Sequence, residues 1–516
     1  MRKILLISVF ISGMVTLATE MTAGRLLGNY FGTSNLIWAS IIGLILIYLT
    51  FGYFVGGKWA DRSPKFETFF SILAWGAFST CLVPFAARPI LRIAADAFDH
   101  LWIGNLIGSF VVVMVLFIIP ITLLGTASPF AIRLAIKDSK SAGTVSGKIY
   151  AVSTLGSFIG TFIPDILLVP IIGTYRTFLV IGAILLLFSI TSLFFIVGRR
   201  KALSHLWMII IVVLLWIFGA PGTDKNTDGM IFETESSYNY IQVLEVDGFH
   251  LLRLNEGQGV HSIYHPDQLN YYGPWEQVLV APFFNPPPVK KEDIKSMAII
   301  GLAGGTTARQ ASIVYPGIRI DGFEIDPKIV EIGYQYFDMS NPNLSVFVQD
   351  GRWGLKTSQN SYDIISVDAY RPPYIPWHFT TKEFFTEVYD HLEPDGVMAI
   401  NIGRGVEDRR LIDALGSTIL EVFPTIHVMD LPFSFNSILF ATKLPTDLSN
   451  FEENYQIQVN EDTHPLLIET MNITVNNFHS PPNKSVVFTD DKAPIEWYTN
   501  AMIIDFFLHG QMETLQ

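Results

Sequence analysis

The sequence predicts a multi-pass α-helical membrane domain followed by a soluble α/β Rossmann-like domain, with a small β unit between them. Three observations lead to this fold class. Apolar residues concentrate before about residue 220, short alternating runs lie between Ile231 and Tyr264, and strand and helix patterns alternate from Met297 onward. Half of the 516 residues are hydrophobic and only 16% are charged, which is typical of membrane proteins. We therefore expect domains at residues 1–221, 230–290 and 291–516.

Seven apolar segments precede the soluble part, and each is close to the roughly 20 residues that cross a bilayer as a helix. Glu20 and Arg25 stand at the end of the first segment, where they are candidates for an ion pair. The small-residue spacings Gly52 to Gly56 and Gly156 to Gly160 predict close helix packing. The segments are Ile4–Ala23, Leu36–Gly57, Thr68–Ala87, Leu101–Leu124, Ile149–Pro170, Phe178–Val197 and Ala202–Ala220.

Basic residues are unequally divided between the loops on the two sides of the predicted bundle. Twelve Lys and Arg lie on the side of the N-terminus and four on the other, so the positive-inside rule places the N-terminus in the cytoplasm. Seven crossings would then put the soluble half outside the cell membrane, whereas a cytosolic nucleoside ligand requires it inside. We expect a cytoplasmic soluble half, with the last segment, Ala202–Ala220, lying at the interface instead of spanning.

Composition excludes several classes of function. The net charge of −13, with no basic block interleaved with aromatics, argues against a nucleic-acid partner. Cys81 is the single cysteine, which excludes intrachain disulfides and cysteine-based metal sites. The histidines are scattered along the chain, and we expect no metal ion.

The small β unit follows a polar linker at residues 222–229. Asp247-Gly248 joins two alternating runs and predicts a hairpin within the range Ile231 to Tyr264. The next segment, His265 to Pro288, is rich in aromatic residues and proline, which is typical of a lid or a pocket wall, or of packing between domains.

From Met297 the chain reads as alternating strands and helices, which predicts a mostly parallel sheet with its ligand at the carboxyl ends of the strands. A glycine turn, Gly301 to Gly305, follows the first strand, and Glu324 ends the second. This layout suits a nucleoside, because glycines admit the ligand and the acid accepts hydrogen bonds from ribose. Thr380 to Glu383 predicts a capping box at the start of the helix after the fourth strand. The predicted strands are Ala298–Ile300, Arg319–Phe323, Ser345–Val348, Ile364–Val367, Val397–Ile402, Thr425–Met429 and Ser437–Ala441.

The stretch from Ile231 to Ile402 resembles the spermidine synthases, the polyamine aminopropyltransferases, and particularly their bacterial members fused to a multi-pass membrane domain. The resemblance rests on four motifs in order: IIGLAGG, DGFEID, VQDGR and ISVDAYRPPYIPWHFTTKEFF. It covers about a third of the chain strongly, and it implies an S-adenosyl-binding Rossmann-like domain.

The resemblance also implies how the donor is held. Gly301 and Gly305 would cradle S-adenosylmethionine or its decarboxylated form, which serves as co-substrate. Glu324 would bind the ribose, and Asp350-Gly351 would read the adenine amine. Gln258, in the small β unit, matches a further donor-binding position.

On the acceptor side, the resemblance makes Asp368 the catalytic base. An amine that attacks the carbon beside a sulfonium must lose a proton, and a carboxylate there accepts it. His265 matches an amine-binding position, and Tyr370 and Tyr374 belong to an aromatic loop that would wall the acceptor pocket. Arg371 is the remaining predicted contact to the acceptor.

Two positions depart from the family pattern. Aminopropyltransferases usually carry an acid in the glycine turn, where this chain has Gly304, and another three residues after the base, where it has Arg371. Both acids normally hold cationic amine groups, whereas an arginine favours a carboxylate or phosphate. Asp490 or Asp491, near the C-terminus, are candidates for replacement carboxylates.

The first hypothesis is therefore a membrane-bound transferase that moves an alkyl group, with aminopropyl as first choice, from the S-adenosyl donor to a small-molecule amine, as in polyamine biosynthesis. The second is an S-adenosylmethionine-dependent methyltransferase. The third is a non-catalytic nucleoside-sensing transporter or membrane binding protein. The expected partners are the amine, the lipid bilayer and, as an open alternative, further copies in a homo-oligomer.

Overall fold

The computed structural model describes residues 2–31, 35–98, 102–136, 141–219, 225, 227–255, 259–370, 374–459 and 462–508. The chain forms two compact units. The helical unit contains Met1–Thr227 and Glu233–Tyr240, and the α/β unit contains Asp228–Phe232 and Ile241–Gln516.

Among its described residues, the helical unit has six stretches that are long and apolar enough to cross a membrane. The fifth, Ala142–Val197, has 56 residues, and two predicted segments, Ile149–Pro170 and Phe178–Val197, fall within it. Gly173 breaks this stretch, with φ 77° and ψ 167°. The helices are α1 Arg2–Phe31, α2 Asn35–Arg62, α3 Phe66–Phe98, α4 Trp102–Gly125, α5 Ala127–Ala135, α6 Ala142–Ile163, α7 Val169–Ser192, α8 Arg199–Leu203 and α9 Leu206–Phe218, with π-helical turns at Pro164–Leu168 and Leu193–Val197.

Glycines bring α1 and α6 into backbone contact. A Cβ atom would lie 2.0 Å from the Phe10 carbonyl oxygen if added to Gly156, and 2.1 Å from the Met14 carbonyl oxygen if added to Gly160. Glycines at such positions let two helices approach more closely than side chains allow. The predicted packing role of this spacing is confirmed.

We expect Gly156→Val to destabilise the helical unit, because its side chain would force α1 and α6 apart. Overpacking of this kind costs roughly 1–3 kcal/mol. Gly147→Val is the matched control on the same helix, since no atom lies within 4 Å of a Cβ added there. Thermal unfolding in detergent checks the prediction, and equal midpoints for the two variants would contradict it.

Arg25 does not pair with Glu20 as predicted. Its guanidinium Nε lies 3.3 Å from Asp165 Oδ1, and its Nη2 donates to the carbonyl oxygens of Ser236 and Ser237. Residues five apart on a helix lie on different sides of it, whereas those three or four apart are neighbours. The sequence spacing alone therefore could not support the predicted pair.

The α/β unit includes a four-stranded antiparallel sheet in the order β1-β2-β3-β4. Asp247 and Gly248 form the turn of its central hairpin with φ values of 51° and 83°. Positive φ at both turn residues matches the right-handed twist of the flanking strands, which confirms the predicted hairpin. The strands are β1 Met230–Glu235, β2 Tyr240–Val246, β3 Phe249–Leu254 and β4 Val260–Tyr264.

An eight-stranded sheet follows, in the order β12-β10-β11-β9-β8-β5-β6-β7. Strands β5 to β9 pair in parallel, and β10, β11 and β12 add an antiparallel edge. The predicted Rossmann-like sheet is confirmed. The strands are β5 Ser296–Ile300, β6 Arg319–Glu324, β7 Leu344–Val348, β8 Tyr362–Val367, β9 Leu392–Gly403, β10 Thr425–Asp430, β11 Asn436–Thr442 and β12 Phe478–His479.

Helices cover both faces of this sheet. Met297 and Ile299 of β5 join one buried apolar cluster, and Ala298 and Ile300 join a second. Alternate residues of a strand point to opposite faces, so a central strand buried on both faces is a continuous apolar run. The helices are α10 Pro274–Gln277, α11 Thr306–Val314, α12 Pro327–Tyr336, α13 Gly351–Thr357, α14 Lys382–Asp390, α15 Arg410–Ile419, α16 Leu448–Val459, α17 Pro465–Asn476 and α18 Ile495–Leu508.

The second half of the segment predicted as a lid, a pocket wall or packing belongs to the core. Val278–Phe284 forms a 3₁₀ helix in which every residue is buried. Its apolar side chains join the cluster on one face of the large sheet. Packing is therefore the role of Val278–Phe284, whereas the part from His265 to Tyr272 is partly exposed and its predicted role as a lid or pocket wall stays a prediction.

Helix α14 forms where predicted, but its cap lies one residue later. The Thr381 hydroxyl accepts the N–H of Phe384 at 3.3 Å, while the Thr380 hydroxyl donates to the Trp377 carbonyl oxygen at 2.6 Å. The Glu383 carboxylate accepts the N–H of Asp490 at 2.9 Å. The predicted capping box is wrong, because a preceding 3₁₀ turn already occupies the hydroxyl of Thr380.

Candidate active site

The glycine turn after β5 touches the backbone that follows β8. Because β5, β6 and β8 run parallel, their carboxyl ends meet at one edge of the sheet. Gly301 has a φ of 88°, and a Cβ atom there would lie 2.6 Å from the Asp368 carbonyl oxygen. Glycine meets both demands, since it tolerates positive φ and has no Cβ. The turn predicted to hold the donor and the predicted base are thus brought together.

The second half of the turn is crowded by its neighbours. The Gly304 N–H donates to Ser262 Oγ of β4 at 2.8 Å, and a Cβ at Gly304 would lie 3.0 Å from both the Phe337 ring and Ser262 Cβ. Gly305 has a φ of 85°, and a Cβ there would lie 2.6 Å from Met339 Cγ. The acid that is usual in the family at the position of Gly304 would need these neighbours to shift.

Glu324 closes the turn from the end of β6. Its Oε2 accepts the N–H of Ala303 and its Oε1 accepts the N–H of Asp326, each at 3.0 Å. Burial raises the pKa of this carboxyl to about 7, although the backbone hydrogen bonds oppose the rise. Each oxygen retains a second lone pair, so the predicted contact with ribose hydroxyls is compatible with both bonds.

We expect Glu324→Gln to weaken donor binding by about tenfold, because an amide has one acceptor oxygen for two backbone N–H donors and the ribose. In the unsubstituted protein, donor affinity should rise with pH through about 7, since the ionised carboxylate is the better acceptor. Calorimetric titration of donor between pH 5.5 and 8.5 measures both effects. Equal affinity for the variant, or a flat pH profile, would remove Glu324 from the donor site.

Asp350 caps α13 at the end of β7. Its Oδ1 accepts the N–H of Trp353 at 3.0 Å, and its Oδ2 lies 3.1 Å from His378 Nε2. The His378 hydrogen bond holds the pKa of Asp350 below its ordinary value. A Cβ at Gly351 would lie 2.6 Å from Ile300 Cγ2, so glycine lets α13 begin against β5. His378 is a partner of this acid that the sequence did not identify.

Asp368 ends β8 and is held by a chain of amides. Its Oδ1 accepts a hydrogen bond from Asn401 Nδ2 at 2.9 Å, and Asn401 Oδ1 accepts one from Asn436 Nδ2 at 2.7 Å. Asn436 Oδ1 in turn accepts from Ser434 Oγ at 3.0 Å. Burial raises the pKa of Asp368 to about 6, against the opposing effect of the Asn401 hydrogen bond. Its Oδ2 has no protein donor among the residues described.

Asn401 and Asn436 were missed by the sequence reasoning. One signal was available, since Asn401 is the single polar residue in the apolar run Val397–Ile402. A buried amide in such a strand must find hydrogen-bond partners. The sequence could not name Asp368 and Asn436 as those partners, because they are 33 and 35 residues away.

The two tyrosines predicted to bind substrate have their hydroxyl groups bonded to protein. Tyr370 OH donates to the Asn401 carbonyl oxygen at 3.2 Å and accepts the N–H of Gly403 at 2.8 Å. Tyr374 OH donates to Asn500 Oδ1 of α18 at 2.6 Å. What these residues can offer a ligand is therefore the faces of their rings.

His265 stabilises the turn after β4. Its Nδ1 accepts the N–H of Asp267 at 3.1 Å, and its ring lies 4.7 Å from that of Phe249. Its predicted contact with an amine therefore depends on Nε2 alone. Two other predicted site residues, Gln258 and Arg371, lie outside the residues that the structure describes.

Asp490 is bonded to side chains of α13 and of the start of α14. Arg352 donates to both of its carboxylate oxygens at 2.8 Å, and the Thr381 hydroxyl donates to one of them at 2.7 Å. This pairing holds the pKa of Asp490 below its ordinary value. Asp490 thus connects the C-terminal segment to α13 through Arg352, and its suggested role as a replacement carboxylate stays a prediction.

Comparison with known proteins identifies the α/β unit. A family model for the spermine/spermidine synthase domain matches residues 284–439. A probable polyamine aminopropyl transferase from Bifidobacterium longum is 33% identical over 282 residues, which are 52% of this chain and 61% of that protein. The polyamine aminopropyltransferase of Vibrio vulnificus is 30% identical over 228 residues, 42% of this chain and 73% of the relative.

Among solved structures, a spermidine synthase from Thermotoga maritima is 22% identical and aligns with a TM-score of 0.40, covering 49% of this chain and 84% of that one. The Bifidobacterium match spans about three fifths of the relative's length, whereas the Vibrio match spans more than two thirds. The chain belongs to the polyamine aminopropyltransferase family and is a transferase.

Proposed function

We propose that the α/β unit transfers the aminopropyl group of decarboxylated S-adenosylmethionine to an amine, with Asp368 as the general base. The observation that carries this proposal is the setting of Asp368. Its backbone lies against the glycine turn, one carboxylate oxygen is oriented by Asn401, and the other has no donor among the described residues. A carboxyl group whose pKa is raised to about 6 is mostly ionised near neutral pH, so it can accept the proton that the nitrogen loses as the C–N bond forms.

The reaction follows from that placement. The amine nitrogen attacks the carbon attached to the sulfonium, so that a C–N bond forms while the C–S bond breaks. The bonding pair passes to sulfur, which leaves as a neutral thioether. The proton released by the nitrogen goes to the Oδ2 atom of Asp368. A carboxylate beside the nitrogen also stabilises the positive charge that builds up there.

The proposed donor site rests on the glycine turn and on the hydrogen-bond acceptors at the next two strand ends. Gly301 and Gly305 have positive φ and let the turn pack against Asp368 and Met339, where larger residues would collide. Glu324 can accept hydrogen bonds from ribose hydroxyls. Asp350 and Gly351 lie at the end of the next strand, β7, where they would contact the adenine amine. The carboxylates at this edge of the sheet would also attract the positive charge of the donor's sulfonium.

Methyl transfer is the second candidate, and Gly304 favours it. With no acid at this position, and with its N–H bonded to Ser262, the turn lacks the carboxylate that the family uses to hold the donor's amine. Glu324 and Asp350 would serve either form of the donor. The nucleoside product distinguishes the two reactions. Aminopropyl transfer releases methylthioadenosine, whereas methyl transfer from S-adenosylmethionine releases S-adenosylhomocysteine.

The test is incubation of the purified full chain with each donor and a pool of primary amines, followed by mass spectrometry of the nucleosides. Methylthioadenosine that appears only with amine supports the proposal. S-adenosylhomocysteine from S-adenosylmethionine would establish the second candidate instead. If neither thioether exceeds the level without enzyme, Asp368 is not a base in alkyl transfer.

We also propose that the helical unit lies in the cell membrane and that the α/β unit faces the cytoplasm. The six apolar stretches support the first part, and the cytosolic origin of S-adenosyl donors supports the second. The stretch Arg199–Phe218 is the least buried of the six, as an interfacial helix requires. A reporter fused after Gln516 that is active only outside the cell would overturn this orientation.

A further inference from the structure

The acid proposed to contact the adenine is itself bonded to a histidine. We infer that His378 is a positioning residue that orients Asp350 as the acceptor for the adenine amine, so that the pair selects a 6-amino purine over a 6-oxo purine. The inference rests on the proposed function and concerns the base of the donor alone.

The two oxygens of the Asp350 carboxylate are held by groups from different elements. Oδ1 accepts the N–H of Trp353 in the first turn of α13 at 3.0 Å, and Oδ2 lies 3.1 Å from His378 Nε2, in the 3₁₀ turn Trp377–Phe379. An ionised carboxylate can only accept, so Nε2 carries the proton of this bond. The two donors together fix the plane of the carboxylate, whereas the Trp353 N–H alone would leave it free to rotate.

His378 is in turn fixed by a residue next to Asp350. Arg352 Nη1 donates to the His378 carbonyl oxygen at 3.1 Å, and the same guanidinium donates to Glu387 and Asp490, each at 2.8 Å. Groups that are already held by such contacts lose little further freedom when a ligand binds. The start of α13 therefore supplies both the acid and, through Arg352, the anchor of the histidine that orients it.

The pair remains accessible to a ligand. The side chains of His378 and Asp350 are 29% and 36% exposed, whereas that of Arg352 is 14% exposed. Contacts between partly exposed charged groups add little to the free energy of unfolding, so stability alone is a weak reason for this one. Each carboxylate oxygen of Asp350 keeps a second lone pair, and an amine can still donate to it.

The selectivity follows from the direction of the hydrogen bond at position 6 of the purine. Adenine has an NH₂ group there, which donates, whereas hypoxanthine has a carbonyl oxygen, which accepts. A carboxylate fixed toward this position bonds to the first and repels the second. A carboxylate that can rotate toward water distinguishes them less well. His378 thus acts through Asp350 on the choice of base, and it takes no part in the transfer itself.

Two product nucleosides that differ at position 6 test the inference. Methylthioadenosine has the amine and methylthioinosine the carbonyl, while contacts to the ribose are common to both. In calorimetric titrations of the full chain in detergent, we expect methylthioinosine to bind ~10² more weakly, and His378→Leu to reduce this ratio by about tenfold. A ratio that His378→Leu leaves unchanged, even if both affinities fall together, overturns the inference and leaves the proposed function intact. Equal binding of the two nucleosides, or no binding, by the unsubstituted protein overturns the proposed donor site.

Two further variants separate the hydrogen bond from the fold of the turn. His378→Gln should retain most of the ratio, because its side-chain N–H can donate to Asp350 in place of the imidazole. His479→Leu makes the same loss of a histidine on β12, at the opposite edge of the large sheet, and should leave the ratio unchanged. Turnover at saturating donor should stay near its original value in all three variants. If His378→Gln loses as much of the ratio as His378→Leu, or if turnover falls while the ratio holds, His378 does not orient Asp350 for the base.

Discussion

Asp368→Asn should lower turnover by ~10² or more and leave donor binding unchanged. The substitution keeps the shape of the side chain, and its amide oxygen can still accept the hydrogen bond that Asn401 donates at 2.9 Å. It removes only the ability to take a proton. Single-turnover measurement of methylthioadenosine formation, together with calorimetric titration of the donor, checks both parts.

The pH profile gives an independent check on Asp368. Because the carboxylate must be ionised to act as a base, turnover should rise with pH through about 6, the value to which burial raises the pKa. We call this rise on the acidic side of the pH profile the acid limb, and it should disappear in Asp368→Asn. Glu407→Gln removes an exposed acid of the loop after β9, and as a control it should retain both the rate and the limb. Wild-type turnover in Asp368→Asn would exclude this residue from the chemistry.

The strands of the large sheet could be predicted because central parallel strands are buried on both faces. Ser296–Ile300 and Tyr362–Val367 are short apolar runs bounded by polar or glycine-containing segments, so each was recognisable alone. The antiparallel edge of the sheet was not apparent, since β10 and β11 have similar apolar runs and their direction is set by pairing. The cap of α14 was misplaced because two threonines are adjacent, and only the preceding turn decides between them.

The acids of the site could be predicted because each stands at a strand end, where the sequence pattern changes from apolar to polar. Their partners could not. Ser262 is 42 residues from Gly304, and His378 is 28 residues from Asp350. Such contacts depend on how whole elements pack, and no local periodicity records them. The sequence therefore predicts the acids of the proposed donor site. It does not predict the residues that hydrogen-bond to them and shift their pKa values.

The residues that hydrogen-bond to the site explain how it can lack the usual acid at Gly304 and still hold the proposed base, Asp368. At Gly304 the backbone N–H is satisfied by Ser262, so the turn is stable without an acid. At Asp368, orientation comes from amides and not from a second charge. Burial raises the pKa of Asp368, and a neutral amide donor opposes that rise less than a cation would.

The amide chain should therefore control the pKa of the base. Asn401→Ala removes a hydrogen bond that lowers the pKa of Asp368, so the acid limb of the pH profile should move to higher pH. At pH 7 we expect turnover to fall by about tenfold or more, because less base is ionised and its free oxygen is no longer oriented. KM for the donor should stay near its original value.

Asn436→Asp is the sharper variant, because it adds no bulk at the base. A carboxylate at this position can only accept, so the Asn401 amide must turn its NH₂ group toward the new carboxylate and its oxygen toward Asp368. An oxygen facing the base disfavours its ionised form, and the acid limb should move further toward high pH than in Asn401→Ala. Ser434→Ala, which removes only the outer hydrogen bond, is the control and should shift the limb least. A common rate loss in all three variants with an unmoved acid limb would mean that these residues only support the fold of the loop.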